Sequence, residues 1–306
     1  MNYPTTQIEF EKLFSTEEQC QSYLTSLRYE NGYLCEKCNC TEFWVNNRGV
    51  YICKFCKNEL SITAGTIFHG ARIPLTLLFR ALWYIVAPKN GVSAVSVQNI
   101  LGLKRYTTTW IWLQRFRRLM VLPGREKLSG VVEVDETLVG GKRSGKRGRG
   151  AEGKTLVIIA VELVEKHMGR VRLSTIEYAD RICINKFIKD NIDIGSTIIT
   201  DGWKGYTDLK KMKYKHITED KKVKLNEEEI TPNVHKIASL LKRWLLGTHQ
   251  NFTSSENLNY YLDEYAFRYN RRRAKSRGYL FYVLLKQSVL HKPVSECEIL
   301  KTELKQ

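Results

Sequence analysis

Four cysteines stand in two pairs, Cys35-x2-Cys38 and Cys53-x2-Cys56, with 14 residues between the pairs. A turn of this kind sets two thiolates about one tetrahedral edge apart, and two such knuckles close a four-sulfur site around Zn²⁺. A ribbon this short has little core of its own, so the metal would supply much of its folding free energy. Reduced cysteines in a small core are the plainer alternative, but paired knuckles at this spacing favour the metal. Cys40 is close enough to compete with Cys38 as a ligand, whereas Cys20, Cys183 and Cys297 are isolated and read as structural thiols.

Two acidic residues stand out for a different chemistry. Asp135 lies inside the Val-rich stretch VVEVDETLV, and Asp201 ends the stretch STIITD. An ionised carboxylate within a sheet is costly unless something compensates it. Two such groups brought together repel, and a divalent cation relieves the repulsion. That arrangement suits two-metal phosphoryl transfer. Periodicity does not select Asp135 alone, because Glu133 shares its face and Glu136 lies on the other; solvated acids on an edge strand are the simpler reading.

The elements that must position these residues follow from pattern. Residues 1–30 read as one amphipathic helix with an entry segment, and residues 33 to about 70 as short strands between cysteine knuckles. Residues 74 to about 120 read as helices punctuated by Pro88, Gly91 and Gly102, and Pro123 and Gly124 mark a boundary. VVEVDETLV, TLVIIAVEL and VRLSTIEYA then read as strands, ICINKFIKDNI as a helix, and STIITD as a further strand. A polar stretch precedes a helix over 234–248, and another helix, SSENLNYYLDEYAFRYNRRR, follows. His235 and Lys242 lie seven apart, two helical turns, and so project from one face. Sixteen tyrosines, several of them at 260–269, raise the idea of a tyrosine nucleophile, but these read as helix packing.

Bulk composition bounds the partners. Lys and Arg total 49 against 32 Asp and Glu, a net charge of +17, which favours a polyanion such as nucleic acid. The hydrophobic fraction of 43% is ordinary, no run approaches the ~18 apolar residues of a membrane span, and MNYPTTQIEF holds no apolar signal core. A cytoplasmic, nucleoid-associated protein with no membrane partner is expected, with cysteines as ligands or thiols rather than disulfides. A tight LGL turn between the helices of 93–120 fits a helix-turn-helix, with Lys104, Arg105, Thr107, Thr108 and Thr109 at the start of its second helix. A helical linker is the alternative. The glycine-rich loop at 140–150 carries Lys142, Arg143, Lys146, Arg147 and Arg149 and suits phosphate contact. Arg271, Arg272 and Arg273 end a helix, where cations also complement its dipole.

EVDETLVGGKRSGKRGRG, ITDGWKGY, VHKIASLLKRWLLGTH and YLDEYAFRYNRR together resemble the ISXO-like insertion-sequence transposases of bacteria, a resemblance running from about Cys35 to Arg273. It implies a multidomain chain: helix and zinc ribbon (1–70), helix-turn-helix-like unit (71–125), α/β RNase H-like catalytic domain with a mixed sheet (126–275) and a C-terminal helical tail (276–306). It implies that Asp135 and Asp201 are the two family aspartates, that His235 stands where the wider superfamily has Glu, and that Lys242 is the accompanying lysine. Glu256 and Glu264 are rival third acids. The implied cofactors are structural Zn²⁺ and catalytic Mg²⁺ or Mn²⁺. The implied partners are double-stranded DNA, as terminal inverted repeats and as target, and further copies in a dimer or larger assembly. An inactive, domesticated DNA-binding regulator and an RNase H-fold nuclease without strand transfer are the competing expectations.

Overall fold

A computed structural model describes residues 3–122, 124–140, 154–165, 167–218, 230–250 and 257–304, with side chains as far as residue 300. Pro123, the loop cations Lys142, Arg143, Lys146, Arg147 and Arg149, and Glu256 lie outside the described residues. The chain divides into two compact units, Met1–Leu122 with Ala274–Gln306, and Pro123–Arg273.

The first unit opens with two helices, α1 (Gln7–Leu13) and α2 (Glu17–Arg28), where the sequence suggested one. The break is chemical. The Thr16 hydroxyl accepts from the Gln19 backbone N–H and the Gln19 side chain accepts from that of Thr16, a capping box that starts a new helix. Strands β1 (Phe43–Val45), β2 (Val50–Cys53) and β3 (Glu59–Ser61) form a three-stranded antiparallel sheet in sequence order. Helices α3 (Leu75–Val86), α4 (Ala94–Leu101) and α5 (Tyr106–Arg118) pack on one another. Gly102 closes α4 in the left-handed region at φ 64°, which makes the sharp turn into α5.

In the second unit β4 (Val131–Val139), β5 (Thr155–Val164) and β6 (His167–Ile176) form an antiparallel meander; then come α6 (Arg181–Asn191), β7 (Thr197–Thr200) and β8 (Lys215–Thr218). The sheet order is β6-β5-β4-β7-β8, with β7 parallel to β4 and β8 parallel to β7. Three antiparallel strands followed by two parallel ones beside the first is the RNase H-like arrangement. Alternation along β4 builds both layers. Val132 and Val134 pack with Ile184, Phe187 and Ile188 of α6, and Val139 packs with α7 (Pro232–His249) and α8 (Leu258–Asn270) on the opposite face. Strand β4 is therefore central, and the edge-strand reading of Asp135 is excluded.

Helices α9 (Arg277–Leu290) and α10 (Glu296–Leu304) belong to the first unit rather than to a separate tail. Helix α9 supplies Phe281, fully buried among Phe10, Phe14, Phe79 and Trp83 at ring separations of 5.4–6.0 Å. The reason is that α1 and α3 present an aromatic face that needs a further apolar helix to cover it. A Cβ on Gly278 would lie 1.5 Å from the Pro4 carbonyl oxygen, so this close approach requires glycine. Among the described residues, no helix is long and apolar enough to cross a membrane.

Candidate functional site

The two cysteine knuckles fold alike. In the first, the Asn39 N–H donates to the Cys35 carbonyl and the Cys35 N–H to the Cys40 carbonyl; in the second, Lys57 donates to Cys53 and Cys53 to Asn58. Asn39 and Lys57 both take a left-handed conformation, at φ 59° and 57°. The result brings the sulfurs of Cys35, Cys38, Cys53 and Cys56 within 4.8 Å of one another. The Cys35–Cys56 and Cys38–Cys53 separations, 3.6 and 3.5 Å, come close to the ~3.8 Å edge of a zinc–sulfur tetrahedron. The donor set therefore fits Zn²⁺. The backbone N–H of Cys56 donates toward Cys53 and lowers that thiol to about 6, and the N–H of Lys37 lowers Cys35, so both favour the thiolate a metal needs. Cys40 stands apart from the set: its sulfur accepts from the Glu42 N–H at 3.4 Å.

On the sheet of the second unit, β4 and β7 pair Val131 with Thr197 and Glu133 with Ile199. Asp135 lies two residues beyond Glu133, the last paired residue of β4 on that side, and Asp201 directly follows the end of β7. Helix α7 brings His235 to Asp135: its Nε2 lies 3.1 Å from Asp135 Oδ2. Ligands on adjacent corners of an octahedral Mg²⁺ or Mn²⁺ at about 2.1 Å stand ~3.0 Å apart, so the pair fits a shared cation. The Asp135 side chain is 12% exposed and that of His235 49%, so the carboxylate is recessed and the imidazole faces solvent. Asp201 is exposed, and its Oδ1 accepts from the Trp203 N–H at 3.0 Å. Asp135, Asp201 and His235 do not converge as the cysteines do, with every donor within 4.8 Å. Ligands divided between two cations ~3.5–4 Å apart need not.

The neighbouring acids are accounted for. Glu133 is 3% exposed and accepts from Asn233 Nδ2 at 2.7 Å and from the backbone N–H groups of Asn233 and Val234 at 2.9 and 3.1 Å. Glu136 accepts from the Tyr206 hydroxyl at 2.7 Å on the opposite face. Burial, then Glu136, Asp135 and Asp201, push the Tyr206 phenol far above its usual range, so it keeps its proton. Glu264 is fully buried against Arg268 Nε at 2.9 Å, within the α8 layer, and is no rival for the site.

Lys242, two turns beyond His235, is exposed, and its ammonium is lowered by partial burial and by the charge of Lys154. Lys154 escaped the sequence reading, although it ends the basic run that leads into β5. Thr231, which donates to Asp135 Oδ2 at 3.3 Å, and Tyr206 were also missed. The only available signal was their place in TPNVH and GWKGY beside the singled-out residues.

Of the residues expected on DNA, Lys104, Arg105 and Thr107 are exposed and Thr108 is half-buried. Thr109 is corrected: at 1% exposure it faces the helical packing of α5, where no nucleic acid reaches. Arg271 lies over the Phe267 ring at 4.1 Å, and Arg272 lies over Tyr269 while donating to the carbonyls of Gly169, Tyr269 and Met168. These two guanidiniums are occupied within the second unit; Arg273 is exposed.

Comparison with known proteins adds two matches of family models. Residues 127–270 match the ISXO2-like transposase domain, and residues 15–59 match the transposase zinc-ribbon domain. The chain is 32% identical over 95 residues to the DNA-directed RNA polymerase subunit beta' of Plasmodium falciparum (isolate 3D7), covering 27% of this chain and 16% of that protein. The chain thus spans about a sixth of the length of that curated relative. A chain of the pre-cleavage Mos1 transpososome aligns at 10% identity with a TM-score of 0.28, over 66% of this chain and 73% of that one. A chain of the Mos1 strand transfer complex aligns at 13% identity with a TM-score of 0.27, over 71% and 76%.

Proposed function

Because the chain belongs to the ISXO2-like transposase family, we propose that it cuts and joins DNA by metal-dependent phosphoryl transfer. The observation that carries this reading is the 3.1 Å contact of His235 with Asp135 on the central strand, beside the strand that delivers Asp201. In the first reaction water attacks a phosphodiester at an element end, breaking the P–O bond and freeing a 3′-hydroxyl. In the second that hydroxyl attacks a phosphodiester of target DNA, and the displaced 3′-oxygen leaves. Asp135, Asp201 and His235 would hold Mg²⁺ or Mn²⁺, which when bound supplies charge stabilisation at the attacking and leaving oxygens. Asp135 accepts from Thr231 and so keeps a fixed orientation. Lys242, with Lys154 beside it, would hold a substrate phosphate. The four cysteines would hold Zn²⁺ as a purely structural ion. The ribbon and the α4–α5 turn would bind the element ends, with Lys104, Arg105 and Thr107 toward the groove. The partners are double-stranded DNA ends, target DNA and a second copy of the chain, in the cytoplasm at the nucleoid.

Net +17 makes DNA binding salt-sensitive, through counterions released at each neutralised phosphate. With six or more phosphate contacts, affinity should fall about a thousandfold or more between ~50 and ~200 mM salt. Binding titrations across that series check it, and a flat response would sink the electrostatic reading.

Imidazole is a softer ligand than carboxylate and neutral, so Mn²⁺ should support cleavage better than Mg²⁺. His235→Glu should retain activity and shift the preference toward Mg²⁺, while His235→Ala should fall ten- to a hundredfold or further, the rough scale of losing a metal-site partner. The check is cleavage rate against metal identity in all three proteins. A wild-type rate in His235→Ala removes His235 from the site.

A further inference from the structure

We propose that the two glutamates flanking Asp135 are positioning residues, Glu133 setting the helix that carries His235 and Glu136, through Tyr206, setting the loop that carries Asp201. The inference rests on the reading of Asp135, Asp201 and His235 as metal ligands, and it concerns what holds those three in register.

The first tether begins from an uncapped helix. The opening N–H groups of a helix have no partner within it, and a residue such as Thr231 at the N-cap normally accepts from one of them. Here Thr231 makes no such bond, and its hydroxyl donates to Asp135 instead. Glu133, a hundred residues earlier, takes the capping role: Oε2 accepts from the N–H groups of Asn233 and Val234, and Oε1 from the Asn233 amide. Both oxygens are committed, which leaves Glu133 as a tether although it shares Asp135's face of β4. Because the last of those N–H groups directly precedes His235, a shift of the cap moves the imidazole with it. An acceptor at this position also satisfies N–H groups that the first turn of the helix leaves without intrahelical partners.

The second tether runs through the other face. Tyr206, fully buried, donates to Glu136 Oε1 at the end of the short segment that begins with Asp201. Gly202 turns it at φ 76°, and Gly205 lies against α6, where an added Cβ would stand 2.6 Å from Ile184 Cδ1. The indole N–H of Trp203 donates to the Ala179 carbonyl at 2.9 Å and its backbone N–H to Asp201 itself. One strand thus carries, within four residues, a metal ligand and a separate anchor for each of its two partners. Sites of this kind need their ligands held by a supporting shell, and loss of such support weakens metal binding about ten- to a hundredfold.

The test uses the full chain and Mn²⁺ alone, titrated by electron paramagnetic resonance, with melting temperature and amide exchange of the first turn of α7 recorded on the same samples. Tyr206→Phe keeps the ring, so the fold has no volume to lose, and should raise the Mn²⁺ Kd about tenfold or more. Glu136→Ala should do the same, and Glu136→Gln, which still accepts from the phenol, should restore most of the affinity. Glu133→Ala should raise the Kd similarly and speed exchange of the Val234 amide, with Glu133→Gln intermediate. A merely structural role would lower the melting temperature while leaving the Kd of the folded protein within about twofold. That result in Tyr206→Phe and Glu133→Gln, with Asp135→Asn losing Mn²⁺ binding, overturns the inference and leaves the functional reading standing. Unchanged Mn²⁺ binding in Asp135→Asn overturns both.

Discussion

Asp135→Ala and Asp201→Ala are each expected to lower strand cleavage about a thousandfold or more while leaving binding of element-end DNA within a few-fold of wild type. The size follows from what the carboxylates do. Removing one preorganised group that stabilises developing charge costs roughly two to three powers of ten, and a lost ligand also weakens the cation that supplies the rest. Asp135 has the larger expected effect, because it holds a place in the contact with His235 and accepts from Thr231 as well. Binding is spared because the exposed cations assigned to it, Lys104 and Arg105, belong to the other compact unit. Single-turnover cleavage and a gel-shift titration on the same preparations give the two readouts. Near-wild-type cleavage by either variant would remove that residue from the metal site.

Stripping the ribbon of metal, or replacing Cys53 by Ser, is expected to unfold residues 33–61 outright. Structural zinc contributes on the order of 10–16 kcal/mol in small zinc domains, more than a three-stranded ribbon can replace by burial. Here Phe43, Trp44 and Val45, the whole of β1, are exposed, so that strand adds little burial of its own. The Tyr29, Tyr33, Tyr51 and Phe43 rings cluster at 4.6–6.5 Å, a small apolar remainder that would not hold two knuckles closed. Native mass spectrometry should find one zinc per chain, and hydrogen exchange across the ribbon should rise to that of an open chain after chelation. A fully protected, metal-free ribbon would contradict the assignment.

Much of this was legible because it is local. The knuckle spacing implies the four-sulfur site, and structure adds only that Cys40 turns away to Glu42. Runs rich in Val, Ile and Thr mark the strands that became β4, β5 and β6, since local residue preference survives without tertiary context. The split between α1 and α2 was missed although Thr16 and Gln19 spell a capping box, because one apolar stripe runs across both helices. Thr109 was assigned to DNA by its place in a run of threonines, and only packing tells which of three neighbours a helix buries.

By itself the sequence determined the four-cysteine cluster, the run of strands and helices, and the acids available for chemistry, all of them set by spacing within a few residues. Tertiary structure decided what each acid touches. Glu133, Asp135 and Glu136 are chemically alike and almost adjacent, and their surroundings separate only when β4 becomes the central strand, with α7 over one face and Tyr206 under the other. The same holds for α9, whose apolar side chains mark a buried helix without saying against what. The partners in each case lie about 70 to 270 residues away in sequence, and such long-range pairings are fixed by which buried surfaces and hydrogen-bond donors must be satisfied together.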